Sequence, residues 1–129
     1  MSEENLRVVR TAYEAFQRGD VETINGLLHP DLEIFQCPSL PWGGHYRGAQ
    51  GARDFFRKIK ESVASVFEPD NILDSGDAVV VIGHAHGRIN RNGLSFRVSA
   101  VHVWRIRDGK AVRFEAFIDA PAMLRYLSM

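Results

Sequence analysis

The chain holds 129 residues with 16 basic and 16 acidic side chains. That length suits one domain over residues 1–129, burying roughly 65–70% of its unfolded surface. Balanced charge excludes the electrostatic footprint of a nucleic-acid or anionic-membrane binder, and no apolar run approaches the about 18 residues of a membrane span.

The start, MSEENLRVVR, is acidic and lacks the apolar stretch of a secretory signal. Ser2 ahead of Glu4 and an apolar run predicts a helix start. Leu6, Val9, Tyr13 and Phe16 then recur at helical spacing up to Gly19, the predicted stop. Asp20 is the expected cap of a short helix over residues 21–28, closed by His29-Pro30. Leu32-Glu33-Ile34-Phe35 alternates like a strand. Residues 38–48, P-S-L-P-W-G-G-H-Y-R-G, are too rich in proline and glycine for an interior helix or strand, yet they carry the large side chains Trp42 and Tyr46. The only cysteine, Cys37, precedes that stretch without a disulfide partner, which points to a reducing cytoplasm. Residues 48–64 present Phe55, Phe56, Ile59 and Val63 at helical spacing.

After Pro69 the pattern turns to strands over residues 71–73, 79–89, 94–106 and 111–118. Turns at Gly76, Asn92-Gly93 and Asp108-Gly109 separate them, and a short helix from Pro121 closes the chain. Helices first and an antiparallel meander afterwards define an α+β fold, with the helices on one face of a curved sheet.

The hairpins predict which side chains look inward. Read as a two-residue turn, Asn92-Gly93 pairs Arg91 with Leu94 and sets His102 opposite Gly83. One face then carries Val79, Val81, Gly83, Ala85, Gly87, Phe96, Val98, Ala100, His102 and Trp104. The other carries His84, His86, Arg88, Arg97, Ser99, Val101, Val103 and Arg105. The first set is far more apolar and is the expected core face. Its row of small residues, Gly83, Ala85 and Gly87, implies either close approach of a helix or an open cavity, and the histidine at its edge favours the cavity. Asp108-Gly109, also read as a two-residue turn, pairs Arg107 with Lys110. It places Glu115, Phe117 and Asp119 on the core face, and Val112, Phe114, Ala116 and Ile118 outside. D-G-K also fits a longer loop with a bulge, which would swap those two sets.

His102 with Glu115 or Asp119 is the expected acid–base constellation. A carboxylate fixes the imidazole tautomer and leaves the other ring nitrogen for substrate, in a pocket bounded by Phe96, Trp104 and Phe117. The alternative is a buried histidine satisfied by one structural partner. His84-Ala85-His86 has a spacing able to chelate a metal, but in this register it points away from His102 and lacks a third ligand, so no metal or cofactor is expected. A first hairpin one residue longer would bring His84, His86 and His102 to one face. Phosphate-binding, dinucleotide and nucleophile-elbow motifs are absent.

Several stretches together resemble the NTF2-like superfamily, in its SnoaL-like and ketosteroid-isomerase-like branch. They are Y-E-A-F-Q-R-G-D at 13–20, L-L-H-P-D-L-E at 27–33, Y-R-G-A-Q-G-A-R-D-F-F at 46–56, V-H-V-W-R-I-R-D-G-K at 101–110 and F-I-D-A at 117–120. The resemblance covers nearly the whole chain and implies a cone in which a curved antiparallel sheet and N-terminal helices enclose a pocket. It also implies a homodimer through the outer sheet face, where Val101, Val103, Phe114, Ala116 and Ile118 would suit an interface. The general base of ketosteroid isomerases falls at Gln36, which cannot take a proton, and their oxyanion-side acid falls at His102. Their helix tyrosine falls at Ala12, beside Tyr13. The final aspartate of limonene-epoxide hydrolases matches Asp119, but the rest of that triad falls at Gly83 and Ala85. The acid–base aspartate and histidine of SnoaL-type cyclases resemble Asp119 and His102 most closely.

The expected function is therefore acid–base proton transfer, an isomerisation or polyketide-type cyclisation, on an apolar cyclic substrate, with Asp119 as base or acid, His102 as hydrogen-bond donor and Glu115 as its partner. Tyr13, Phe16, Gln36 and Phe56 join Phe96, Trp104 and Phe117 as expected pocket residues, and Trp42 and Tyr46 are expected at its rim. The alternative is a non-catalytic ligand-binding or dimeric accessory domain.

Overall fold

Apolar residues at helical spacing build α1 (Ser2–Arg18), and Gly19, at φ 68°, ends it in the left-handed conformation that costs glycine least. These features come from a computed structural model that describes residues 2–129 but not the side chain of Ser2, so the capping role expected of Ser2 lies outside the described residues. Asp20 caps α2 (Val21–Gly26) by accepting from the Thr23 backbone N–H at 3.1 Å. This helix ends two residues earlier than expected, and β1 (Leu28–Gln36) takes in His29 and Pro30 across a break in register between Leu28 and Glu33. Such a break is where a strand tolerates proline, which has no N–H to donate.

The proline- and glycine-rich stretch ends in a short strand, β2 (Gly44–Arg47), before α3 (Gly48–Ser62). The strand pairs only with β1, at the edge of the sheet. β3 (Val63–Asp74) corrects the sequence expectation most: it runs twelve residues where only three were expected. No turn separates it from α3, because Val63 both caps the helix and opens the strand with φ −142°. Pro69 fits within it because β3 is the other edge strand and its register shifts between Pro69 and Asn71. β4 (Val79–Ile89), β5 (Ser95–Arg107), β6 (Lys110–Ile118) and α4 (Ala120–Ser128) complete the chain.

The six strands form one curved, unclosed sheet in the order β2-β1-β6-β5-β4-β3. All pairings are antiparallel except β1 with β6, which is parallel. The helices cover the inner face, α3 against β1 and α1 against β3 and β4.

Both hairpins depart from expectation, with opposite consequences. In the first, Ile89 donates to Leu94 and Arg88 pairs with Ser95, so the loop is longer than two residues. His102 then lies opposite Val81 and Gly83 opposite Ala100. The slip is two residues, and a slip of two leaves every side chain on its face. In the second, Asp108 (φ 55°) and Gly109 (φ 73°) make the expected tight turn, with Arg107 opposite Lys110. A bulge between Arg105 and Ile106 then leaves Val112 without a partner, and Trp104 faces Phe114. That one-residue slip turns Phe114, Ala116 and Ile118 inward and Glu115 and Phe117 outward, reversing the expectation for β6.

The small residues on β4 also have a different cause. A Cβ on Gly83 would strike the Glu68 carbonyl and the Phe67 ring, and one on Gly87 would strike the Ala64 carbonyl. The close neighbour is strand β3 curling over β4, not a helix. Ala85 alone of the three lines open space.

Candidate functional site

Ala85, Ala100 and Ala116 present methyl groups where neighbouring inward positions carry large side chains, and a cavity of about 960 Å³ opens above them. Leu32 and Ile34 of β1, Phe114 and Ile118 of β6, and Phe16, Phe55 and Phe56 of the helices make its walls apolar. Exposed residues of α2 and α3, including Val21, Arg53, Arg57, Lys60 and Glu61, surround the mouth. Among the described residues, Glu61 is the one carboxylate on the lining, and its side chain is 63% exposed there.

Polar chemistry in the interior centres on three residues. Trp104 Nε1–H donates to the Tyr13 hydroxyl at 2.9 Å, and that hydroxyl lies 2.7 Å from His102 Nδ1. A phenol oxygen that already accepts from tryptophan has its own proton to give, so Tyr13 O–H donates to Nδ1. This places the imidazole proton on Nε2. Aromatic rings hold the arrangement: Phe67 stacks on His102 with centroids 4.0 Å apart, and Phe114 meets it edge-on at 4.8 Å. Phe114 likewise meets Trp104 at 4.6 Å.

Burial pushes the His102 imidazole down to about 3, so the ring stays neutral at physiological pH. Burial also pushes the Tyr13 phenol well above its ordinary value, against a smaller lowering by the Trp104 hydrogen bond. Neither group carries charge near neutrality. The site therefore offers a neutral N–H donor in an apolar cavity, suited to an uncharged or developing negative oxygen. Gln36 adds to the wall: its carbonyl accepts the Cys37 N–H at 2.8 Å, leaving the NH₂ group as a donor.

Tyr13, Phe16, Gln36, Trp42, Phe56, His102 and Trp104 of the expected site line this cavity. The others do not. Tyr46 is buried behind the wall, where its hydroxyl donates to the carbonyls of Trp42 and Gly43 and pins their loop. Phe96 packs near Tyr126 of α4 instead. The bulge in β6 puts Phe117 on the outer face, 55% exposed, and Glu115 beside Arg113 at 3.3 Å. Asp119 is exposed and caps α4 by accepting from the Ala122 N–H at 3.1 Å. The structure thus brings His102 together with Tyr13 and not with a carboxylate. His84 and His86 lie on the outer face, away from His102, as expected, because the two-residue slip of the first hairpin preserves strand parity.

Sequence reasoning missed the Tyr13–His102 bond and the Phe67 stack. A tyrosine on the apolar stripe of α1 is itself a signal, because a buried phenol needs a polar partner. Its partner lies 89 residues away, and no local pattern names it. Phe67 was hidden with the rest of β3.

Comparisons with known proteins identify the family and the fold. The SnoaL-like domain family matches residues 9–114. An NTF2-like protein of unknown function from Burkholderia pseudomallei is 31% identical, with 98% of each chain covered and a TM-score of 0.89. TerC, solved in co-crystals with polyporic acid, is 27% identical over 98% of this chain and 99% of its own, with a TM-score of 0.89. An LEH-like epoxide hydrolase of M. tuberculosis shares the fold at 20% identity, covering 98% of this chain and 91% of its own, with a TM-score of 0.77. No curated protein matches significantly. No described helix is long and apolar enough to cross a membrane.

Proposed function

Because the chain belongs to the SnoaL-like domain family, we propose that it binds an apolar, ring-bearing small molecule and promotes proton transfer on it by polarising one oxygen. The reaction class is isomerisation or polyketide-type cyclisation through an enolate. The observation that carries this reading is the chain of donors from Trp104 through Tyr13 to His102, which ends in a neutral N–H within an apolar cavity. A donor of this kind stabilises an enolate oxygen more than the parent carbonyl and contributes about 10²–10³ in rate. The proton acceptor is water or a group of the substrate, since the expected carboxylates Asp119 and Glu115 stand outside the cavity. Arg53, Arg57 and Lys60 at the mouth favour a molecule with an acidic group, in keeping with the co-crystallisation of TerC with polyporic acid.

The second reading is a non-catalytic binder, and Gln36 favours it, because an amide stands where a base is needed. Cyclic ketones and their matching hydrocarbons, compared by thermal shift on the wild type and His102→Leu, separate the readings. Ketones are expected to raise the melting temperature of the wild type alone, and the protein to accelerate exchange of their α-protons into D₂O. Equal shifts from ketone and hydrocarbon would sink the polarising role; ketone binding without exchange would leave the binder.

We also place the protein in the cytoplasm, on its lone thiol, and as a homodimer through the outer face, where Val101, Val103 and Phe117 lie. Phe114, Ala116 and Ile118 face inward and drop out of that surface. A single monomeric species in sedimentation at micromolar concentration would overturn the dimer.

A further inference from the structure

Two histidines play no part in the cavity. His84 and His86 flank Ala85 on β4 and project together from the outer face, as alternate residues of a strand do. The register sets Glu68 of β3 directly opposite His84. Its carboxylate reaches both rings, with Oε2 at 2.8 Å from His84 Nε2 and 3.2 Å from His86 Nε2. One donor atom from each of the three residues lies within 4.8 Å of the others. On the far side of the first ring, Asp70 Oδ2 is 3.2 Å from His84 Nδ1.

The placement is directional. A carboxylate at Nδ1 accepts the N–H there, so Nε2 faces Glu68 as a second N–H donor in the charged ring or as a lone pair open to a cation in the neutral one. At 2.8 Å from a carboxylate oxygen, Nε2 holds either a proton or a metal ion between the two, and a metal ion takes the place that the proton fills in the charged ring. His86 brings a third donor atom to the same place. Two imidazole nitrogens and one carboxylate oxygen, with a ring braced from behind, form the donor set of zinc and the neighbouring divalent transition ions. Magnesium and calcium prefer oxygen alone, and the two imidazoles disfavour them. A tetrahedral ion with bonds of about 2.1 Å needs donor separations of about 3.4 Å, which small side-chain rotations supply.

We propose that Glu68, His84 and His86 bind one divalent first-row transition metal ion, with Asp70 positioning His84. The site is independent of the cavity, since the three residues lie on the opposite face of the sheet from His102. The ion joins edge strand β3 to β4 beside the register shift at Pro69 and Asn71, where the ladder is interrupted.

Metal-free protein titrated with Zn²⁺ by calorimetry, and with Co²⁺ by visible absorption, tests the proposal. One ion per chain is expected, with a tetrahedral-type cobalt band and a raised melting temperature with zinc. His84→Ala, His86→Ala and Glu68→Gln are each expected to weaken binding at least about tenfold, with far-ultraviolet circular dichroism confirming that the variants fold. Asp70→Asn weakens it by a smaller factor and Asp70→Glu restores it. His45→Ala, whose ring pairs with Glu33 at 2.9 Å near the opposite sheet edge, changes nothing. Failure of both ions to bind saturably, or binding that survives both histidine substitutions, overturns the site. Asp70→Asn binding as tightly as the wild type removes Asp70 from it.

Discussion

His102 and the pair His84 and His86 sit on adjacent strands of one sheet, facing opposite ways. On the inner face, Phe67 and Phe114 pack on an imidazole that burial holds neutral, and a single neutral partner, Tyr13, fixes its proton. On the outer face, two carboxylates converge on imidazoles that keep access to solvent, 12% for His84 and 41% for His86. The same side chain is thus a neutral hydrogen-bond donor on one side and, on the other, a partner of carboxylates that we propose to bind a metal ion. Strand parity decides which, and a one-residue slip between the two strands would bring all three histidines to one face.

The largest expected effect that sharpens this contrast is in acid. The unfolded chain protonates His102 near its ordinary value of about 6.5, whereas the folded chain resists protonation until about 3. The unfolded state therefore binds one more proton across that window, and stability falls as pH drops through it. The slope from His102 is about 1.4 kcal/mol per pH unit. Urea unfolding of the wild type and His102→Gln at successive pH values should show the variant losing that one-proton slope. An identical slope in both proteins would mean that His102 is not held neutral.

A smaller effect separates the faces by packing. Gly83→Ala adds a methyl group on the inner face against the Glu68 carbonyl, in backbone that cannot easily retreat. It should cost about 1–3 kcal/mol in chemical denaturation. Ser99→Ala, exposed on the outer face, should stay within about 0.5 kcal/mol. Equal costs would contradict the close approach of β3 over β4.

Much of this architecture was legible because the signals were local. Gly19, Asp20, the turn residues and the period-two pattern of β4 and β5 each act over a few residues. The first hairpin was misjudged by two positions without harm, since parity survived. β6 was misread because its bulge lies beyond the turn, where Val112 leaves the ladder with no glycine or proline to announce it. The expected pairing of His102 with Glu115 or Asp119 fell with that register. β3 escaped notice because α3 runs into it without a break and Pro69 disguises its middle. A cavity whose lining, among the described residues, carries no carboxylate but Glu61 at the mouth is a tertiary result, assembled from β1, β5, β6 and the helices.

The central claim is that His102 presents a neutral Nε2–H to the cavity because Tyr13 donates to Nδ1. Nitrogen-15 NMR of the labelled histidine rings tests it most directly, with Tyr13→Phe as the control and the outer-face histidines as internal references. The expected result is an Nε2–H tautomer for His102 that remains uncharged down to about pH 4, and whose proton becomes labile in Tyr13→Phe. A His102 ring that is doubly protonated near pH 6, or that carries its proton on Nδ1, would contradict the account.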